Sequence, residues 1–319
     1  MKDNKHEKYV VTAGSSYLDI DAYACMVAIS ELLRLQGEDA VAYSSAQYNY
    51  SICQSFVREE LVCRILPNSY STCNTKFIIV DVSDPEFLED KIRLSDVIAV
   101  YDHHSGFEKY WMDRIGSGAH IEFIGAAATL VFREWKNANL LEKMSQETAR
   151  LLVAAILDNT LNLTSKNTTN EDRSAFEKLC ILNHINSKWC ASYFSEVQKK
   201  VEDDLESTLL RDVKLVRENA FLPSRIGQLA VWDAEKILYL LPMMCNVFNK
   251  LYDKWMLNII DIRNNCCYFV CEDDEYRRKI QKIFGVQFYA SVAKTKTTYL
   301  RKELIKITTQ FKSMEADNK

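Results

Sequence analysis

The chain has 319 residues, about twice the common size of a single domain, so two domains are expected. Hydrophobic residues make up 48% and charged residues 26%, which excludes a disordered, collagenous or disulfide-dense product. Forty Lys and Arg stand against 44 Asp and Glu, for a net charge of −4 and a pI near 5.9; a dedicated nucleic-acid binder usually carries a basic face, so none is expected here. With only 8 Gly and 5 His, any phosphate cradle or metal site must be built mostly from other residue types.

The first residues run straight into a β-rich stretch without an apolar segment of signal-peptide length. The apolar runs at residues 22–29 and 151–157 fall short of the roughly 20 residues that cross a bilayer. No membrane association and a cytoplasmic location are therefore expected. The 10 cysteines are scattered without a C-x-x-C pair, which reads as buried, reduced thiols and not as a zinc site.

In chain order, residues 9–13 read as a strand, and residues 21–36 as a helix with Met26, Ile29, Leu32 and Leu33 at helical spacing and Gly37 as its stop. Residues 41–43, 76–80, 97–101 and 121–124 read as further strands. Helices are expected from Gly125 to Trp135, over 146–157 and over 171–182. This alternation predicts a doubly wound, mainly parallel α/β domain over residues 1–188. A charged helix over 193–210 lies in a connector spanning 189–210. Strands near 213–216, 226–231, 257–262 and 268–270, with helices over 233–251 and after Glu275, make residues 211–319 a smaller mixed α/β domain.

Carboxylates and adjacent histidines cluster where these elements end. Asp81 closes one strand and Asp102, His103 and His104 close the next. In an open parallel sheet, ligands sit beyond the carboxyl ends of the strands, so these residues are expected at one crevice. Asp19 and Asp21 follow the first strand, and Asp158 ends an apolar helix. Each has an ordinary reading: Asp19 and Asp21 as a helix cap with a first-turn acid, Asp81 as part of a capping turn, Asp158 as a polar helix end. Taken together they form a hard, oxygen-rich donor set with one or two nitrogens, suited to Mn²⁺, Mg²⁺ or Co²⁺ and to hydrolysis of a phosphate ester or anhydride.

Val100-Tyr101-Asp102-His103-His104 resembles the signature of the DHH phosphoesterase superfamily. Asp19-Ile20-Asp21, Val80-Asp81 and the run from Ala155 to Thr160 resemble its other motifs, in order. Thr168-Thr169-Asn170-Glu171-Asp172 is similar to the branch holding the manganese-dependent (family II) inorganic pyrophosphatases and related exopolyphosphatases. Arg211-Asp212-Val213-Lys214, the stretch from Arg225 to Leu229, and Arg301-Lys302 resemble that branch's substrate-binding second domain, of DHHA2 type. The resemblance covers roughly residues 10–310. The glycine-rich motif of the oligonucleotide and cyclic-dinucleotide branch is absent, since no two glycines are adjacent.

Carried over residue by residue, the resemblance implies two divalent metals, Mn²⁺ first, with Mg²⁺ or Co²⁺ as alternatives. Asp19, Asp81 and Asp158 would hold one, and Asp21, Asp81, His103 and Asp158 the other. A metal-activated hydroxide would attack phosphorus, with His104 on the phosphate, Asp102 orienting its neighbours, and Lys214, Arg301 and Lys302 clamping the substrate. It also implies a homodimer. The function expected is an inorganic pyrophosphatase-like phosphoanhydride hydrolase. The alternatives are an exopolyphosphatase on short polyphosphates, a nucleotide phosphodiesterase and a catalytically weak phosphate-binding relative. One position departs from the pattern: Ser15 stands where the pyrophosphatases carry a metal-binding histidine, which points toward a weaker metal position or a substrate other than pyrophosphate. His120 and His6 are the candidates to compensate in space.

Overall fold

A computed structural model of the chain describes residues 7–317, leaving out 59, 71–73, 217–218 and 220, and giving only the backbone of 312–317. The chain divides into two compact units, Met1–Tyr193 and Phe194–Lys319. Among the described residues no helix is long and apolar enough to cross a membrane.

In the first unit, strands β1 (Lys8–Thr12), β2 (Asp39–Ala42), β3 (Thr75–Val80), β4 (Val97–Asp102) and β5 (Ala119–Ile121) form one sheet in the order β2-β1-β3-β4-β5. Every pairing is parallel. Helices α1 (Ile20–Leu35), α2 (Glu108–Ile115), α3 (Ala127–Asn137), α4 (Gln146–Asn159) and α5 (Asn170–Leu182) complete it. Val10, Phe77, Ile79 and Val100 pack with Trp111 of α2 in one cluster. The long helix α1 is packed against α3, α4 and the strands, and is buried nearly all round. Gly37, at φ +94°, takes the chain out of α1 through a conformation that a side chain disfavours.

This strand order changes direction between β1 and β3, the topological switch point at which an open α/β sheet leaves a crevice beyond its strand ends. Asp19 lies on the loop after β1, and Asp81 and His103 follow directly on β3 and β4.

The second unit holds a six-stranded mixed sheet. Its strands are β6 (Val213–Leu215), β7 (Arg225–Val231), β8 (Trp255–Asp261), β9 (Cys266–Val270), β10 (Phe288–Tyr289) and β11 (Val292–Lys294), in the order β10-β11-β9-β8-β7-β6. Only β7 and β8 run parallel. Helices α8 (Leu241–Leu251), α9 (Asp274–Phe284) and α10 (Arg301–Asp317) accompany it. The α/β class and the two-sheet organisation agree with expectation.

Several boundaries differ from the sequence reading. The strand expected over 121–124 is found earlier, at Ala119–Ile121; Ile124 and Gly125 are committed to contacts described below. The helix expected over 193–210 is two helices, α6 (Ser187–Asp203) and α7 (Leu205–Arg211), separated by the non-helical backbone of Asp204. The break places Asp204 immediately before α7, at the positive end of that helix's dipole. The helix expected over 233–251 opens as a 3₁₀ turn, Ala234–Leu240, and becomes α-helical where Pro242 fits the first turn without a missing hydrogen bond. Helix α2 was not foreseen. The described cysteines form no disulfide, and only Cys63 and Cys180 among them are not buried.

Candidate metal centre

The first shell of acids is built by short, specific backbone devices. Asp19 caps α1, its Oδ1 accepting from Ala22 N at 2.9 Å. Its ordinary reading as a cap therefore holds, and it leaves the second carboxylate oxygen uncommitted to that role. Asp21 is fully buried in the first turn. Its two oxygens accept from Ala127 N at 2.9 Å and Ala128 N at 2.8 Å, amides that the start of α3 leaves without intrahelical partners.

The start of α3 is itself fixed from behind. Asp172 is fully buried and accepts from Gly125 N at 3.0 Å, Thr129 Oγ1 at 2.6 Å and Thr169 N at 2.7 Å, the last within a capping box that opens α5. A side chain at Gly125 would meet Asp172 Oδ2 and Thr160 at 2.6 Å, so the close approach requires glycine. The Thr168 to Asp172 motif thus acts through Gly125 and the α3 amides on Asp21.

Asp81 terminates β3 with φ +57°, a left-handed backbone that Asp tolerates better than branched residues, while its N–H continues the ladder to Tyr101 O at 2.8 Å. Its side chain is 5% exposed, and Oδ1 is buried with no hydrogen-bond partner. A buried carboxylate oxygen without a donor is costly unless a cation or proton satisfies it.

His103 faces that oxygen, with Nε2 at 3.4 Å from Asp81 Oδ1. Its Nδ1 lies 3.2 Å from Ile124 O, which can only accept, so Nδ1 carries the hydrogen. In the neutral ring Nε2 is then a lone pair aimed at a carboxylate. Two acceptors held face to face in this way are a donor set for a cation, with the tautomer set by a backbone carbonyl.

His104 is oriented differently. Its Nδ1 is 2.8 Å from Asp102 Oδ1 and 4.0 Å from Asp81 Oδ1. Asp102 Oδ1 also accepts from His103 N at 2.8 Å and His104 N at 3.1 Å. The ligand atoms of Asp81, His103 and His104 lie within 4.8 Å of one another, but Nδ1 of His104 is committed to Asp102 and its ring is 65% exposed. Asp102 thus fixes one face of the His104 ring while most of the ring stays exposed.

Asp158 lies in the last turn of α4, and its Oδ1 accepts from Tyr193 Oη at 2.9 Å. The turn that follows is strained: Leu161, Asn162 and Leu163 all have positive φ.

The electrostatics bind these separate pieces into one site. Burial, together with the negative charges of Asp19 and Asp21, pushes Asp81 well above the usual carboxylate range. Burial raises Asp158 to about 7, opposed by the Tyr193 hydrogen bond and reinforced by Asp19 and Asp21. Burial likewise lifts Asp21 to about 6 against the attraction of His103. Asp102 behaves in the opposite way: burial pushes it up, but the His104 hydrogen bond and charge outweigh burial and hold it below the usual range. Its hydrogen bond to Asp102 raises His104 in turn. Among the described residues no lysine or arginine pairs with Asp19, Asp21, Asp81, Asp102 or Asp158. Buried acids that raise one another, one aimed imidazole and no protein cation fit a hard divalent metal.

The second-unit residues stand apart in character. Lys214 on β6 and Lys302 on α10 are exposed and form no ion pair among the described residues. Arg301 is buried, its guanidinium donating to Asp212 O at 2.6 Å and Ile226 O at 3.2 Å and pairing with the Asp212 carboxylate. Its fork is occupied by protein groups, and the Arg301 N–H is held by Gln228 Oε1 at 2.7 Å. Of the two candidate compensating histidines, His120 stacks on Tyr101 at 4.6 Å between ring centres, and His6 lies outside the described residues. Ser15 is tied through its N–H to Phe87 O at 2.7 Å.

Tyr193, the Ile124 carbonyl and the α3 amides were not anticipated. A helix was expected from Gly125, but nothing in Ala126-Ala127-Ala128 indicated that its first amides would hold an acid. A carbonyl that fixes a tautomer leaves no trace in residue type.

No family model matches the chain. It is 23% identical over 295 residues to a Listeria innocua protein named "Probable manganese-dependent inorganic pyrophosphatase", covering 90% of this chain and 93% of that one. A Lactobacillus helveticus protein of the same name is 25% identical over 297 residues with the same coverage. Among solved structures, a Methanococcus jannaschii "putative family II inorganic pyrophosphatase" matches with a TM-score of 0.60 at 18% identity, over 95% of this chain and 98% of the other. An exopolyphosphatase-related protein from Bacteroides fragilis matches with a TM-score of 0.54 at 13% identity, over 96% and 92%. At these identities the structural likeness establishes the fold, the two-domain α/β architecture of those proteins. Over nine-tenths of its length the chain resembles in sequence proteins named as probable manganese-dependent inorganic pyrophosphatases, and in fold one named as a putative family II inorganic pyrophosphatase.

Proposed function

We propose that this protein is a divalent-metal-dependent hydrolase of phosphoanhydrides, with pyrophosphate as its first substrate. One observation carries the reading: His103, its Nδ1 hydrogen fixed on Ile124 O, aims Nε2 at the unpartnered buried oxygen of Asp81 among acids that raise one another. The names of the relatives support the same activity and manganese as the metal.

Asp19, Asp81 and Asp158 are proposed to hold one metal, and Asp21, Asp81, His103 and Asp158 a second. When bound, such ions lower the pKa of water and neutralise phosphoryl charge. The chain's own groups do the rest. Asp102 keeps the His104 hydrogen on Nδ1 and favours its cationic form, so that Nε2 can donate to a phosphate or leaving oxygen. The Ile124 carbonyl and the α3 amides hold His103 and Asp21 in place before any ligand arrives. Lys214 and Lys302 offer exposed ammonium groups to terminal phosphate, with Arg301 anchoring the start of α10 that carries Lys302. A cytoplasmic homodimer accords with the resemblance.

Short polyphosphates are the second reading. Ser15 favours it, because it supplies no nitrogen where the pyrophosphatases have a histidine, and an exopolyphosphatase-related protein shares the fold. The deciding experiment is phosphate release from pyrophosphate, tripolyphosphate, long polyphosphate and a dinucleotide, each with Mn²⁺, Co²⁺ or Mg²⁺. Release from pyrophosphate fastest with Mn²⁺ supports the first reading, and faster release from tripolyphosphate the second. Cleavage of the dinucleotide alone, or no turnover at all, overturns both.

A further inference from the structure

We propose that Tyr193 is a positioning residue for metal binding, holding the Asp158 carboxylate in the orientation the site requires. This rests on the reading of Asp158 as a metal ligand and extends it to a residue on α6, outside every acid-rich motif. The Tyr193 hydroxyl lies 2.9 Å from Asp158 Oδ1 and 3.3 Å from Ser51 O. It has one hydrogen to give, and the closer, ionisable acceptor is the stronger partner, so the hydrogen goes to Asp158.

The hydroxyl is fixed in turn. Tyr193 is 3% exposed, and its ring is packed against Phe56 at 6.0 Å and stacked with Trp189 at 6.5 Å and 12°. The adjoining Ser51 reaches the other side of the site, its Oγ accepting from Ile20 N at 2.9 Å, one residue after Asp19. A carboxylate at the end of a helix can rotate about its terminal bond. With Oδ1 held by a rigid phenol, Asp158 presents its other oxygen without that freedom, and the ordering cost is met in folding instead of on metal binding. Partners of this kind, hydrogen-bonded behind a ligand, typically change metal affinity by about 10–100-fold.

The test is Mn²⁺ binding by calorimetry to full-length wild type, Tyr193→Phe and Phe56→Leu. Tyr193→Phe keeps the ring and its stacking and removes only the donor. It is expected to raise the Mn²⁺ Kd by about tenfold or more while the metal-free Tm stays within a few degrees, and excess Mn²⁺ should restore most of kcat. Phe56→Leu loosens the packing and keeps the hydroxyl; it should lower the metal-free Tm with little change in Kd. An unchanged Kd in Tyr193→Phe overturns the proposal, as does an equal loss of affinity in Phe56→Leu, which would make the effect one of packing. If wild type binds Mn²⁺ but releases no phosphate, the hydrolase reading fails while the Tyr193 comparison can still be made. If wild type binds no Mn²⁺, the metal site and this inference fall together.

Discussion

The acids beyond the first unit's sheet and the buried acids of the second unit are treated in opposite ways. In the second unit Asp261 is fully buried, yet it accepts from Ala234 N at 3.1 Å, Asn264 N at 2.8 Å and Asn264 Nδ2 at 3.0 Å. Its neighbour Asp233 pairs with Arg263 at 3.0 Å. These carboxylates are fully spent on structure. In the first unit Asp21, Asp81 and Asp158 are pushed upward by burial and by neighbouring carboxylates, Asp19 in every case, and Asp81 keeps an oxygen with no partner. The same residue type is thus a structural tie at Asp261, Asp233 and, in the first unit, Asp172, and an unmet demand for positive charge at Asp81. Crowding by other carboxylates without a paired lysine or arginine, not burial, separates the two sets.

The sharpest way to break this comparison is to neutralise one acid in each unit. Asp81→Asn is expected to reduce phosphate release about a thousandfold or more and to abolish tight Mn²⁺ binding, since it removes the ligand proposed to serve both metals. The same change should stabilise the metal-free protein at pH 7.5 by about 1–2 kcal/mol, because it relieves a buried like-charge conflict. Denaturant unfolding in chelator measures this, and a loss of stability would contradict the account. Asp261→Ala should do the reverse, costing about 1–3 kcal/mol by leaving buried amides unpaired, with Mn²⁺ affinity unaltered.

The pH dependence of stability sharpens the contrast. Asp21 and Asp158 have folded pKa values of about 6 and about 7, above the ordinary value of 3.8, so between roughly pH 4 and 7 the folded state binds more protons than the unfolded one. Stability of the metal-free protein is therefore expected to fall as pH rises through that window. Melting curves in chelator at pH 5 and 7.5 check the sign, and added Mn²⁺ should raise Tm most at the higher pH, where the ligands are already deprotonated. A flat or rising metal-free Tm would mean that these acids have partners that the geometry does not show.

The smallest effect is expected from a cation of the second unit. Lys302→Ala should raise KM for pyrophosphate by about tenfold, leaving Mn²⁺ affinity and Tm unchanged, because an exposed, unpaired ammonium contributes to ligand binding and little to folding. Arg301→Ala, by contrast, should lower Tm, since it removes the ties to Asp212 and Ile226.

Much of this was legible in the residues. The alternation of apolar runs and helical patterns gave the parallel sheet, and acids placed at strand ends pointed to the crevice at its switch point. Less legible were the boundaries set by electrostatics and capping, such as the interruption at Asp204 and the late start of α8 at Leu241. Lys214, Arg301 and Lys302 read alike as three cations, yet Arg301 is drawn into the protein by Asp212 while Lys302 beside it stays exposed. Such a difference depends on partners distant in sequence, here 89 positions away.

By itself, then, the sequence determined the fold class and the acids that gather beyond the sheet, because hydrophobic periodicity and residue type are local properties. Only the tertiary structure decided which oxygen of each acid is already taken, which histidine nitrogen carries its hydrogen, and that Tyr193 stands behind Asp158. Those outcomes rest on backbone carbonyls, amides and a single hydroxyl brought within about 3 Å by packing, a distance that hydrogen bonding demands and that chain order does not encode.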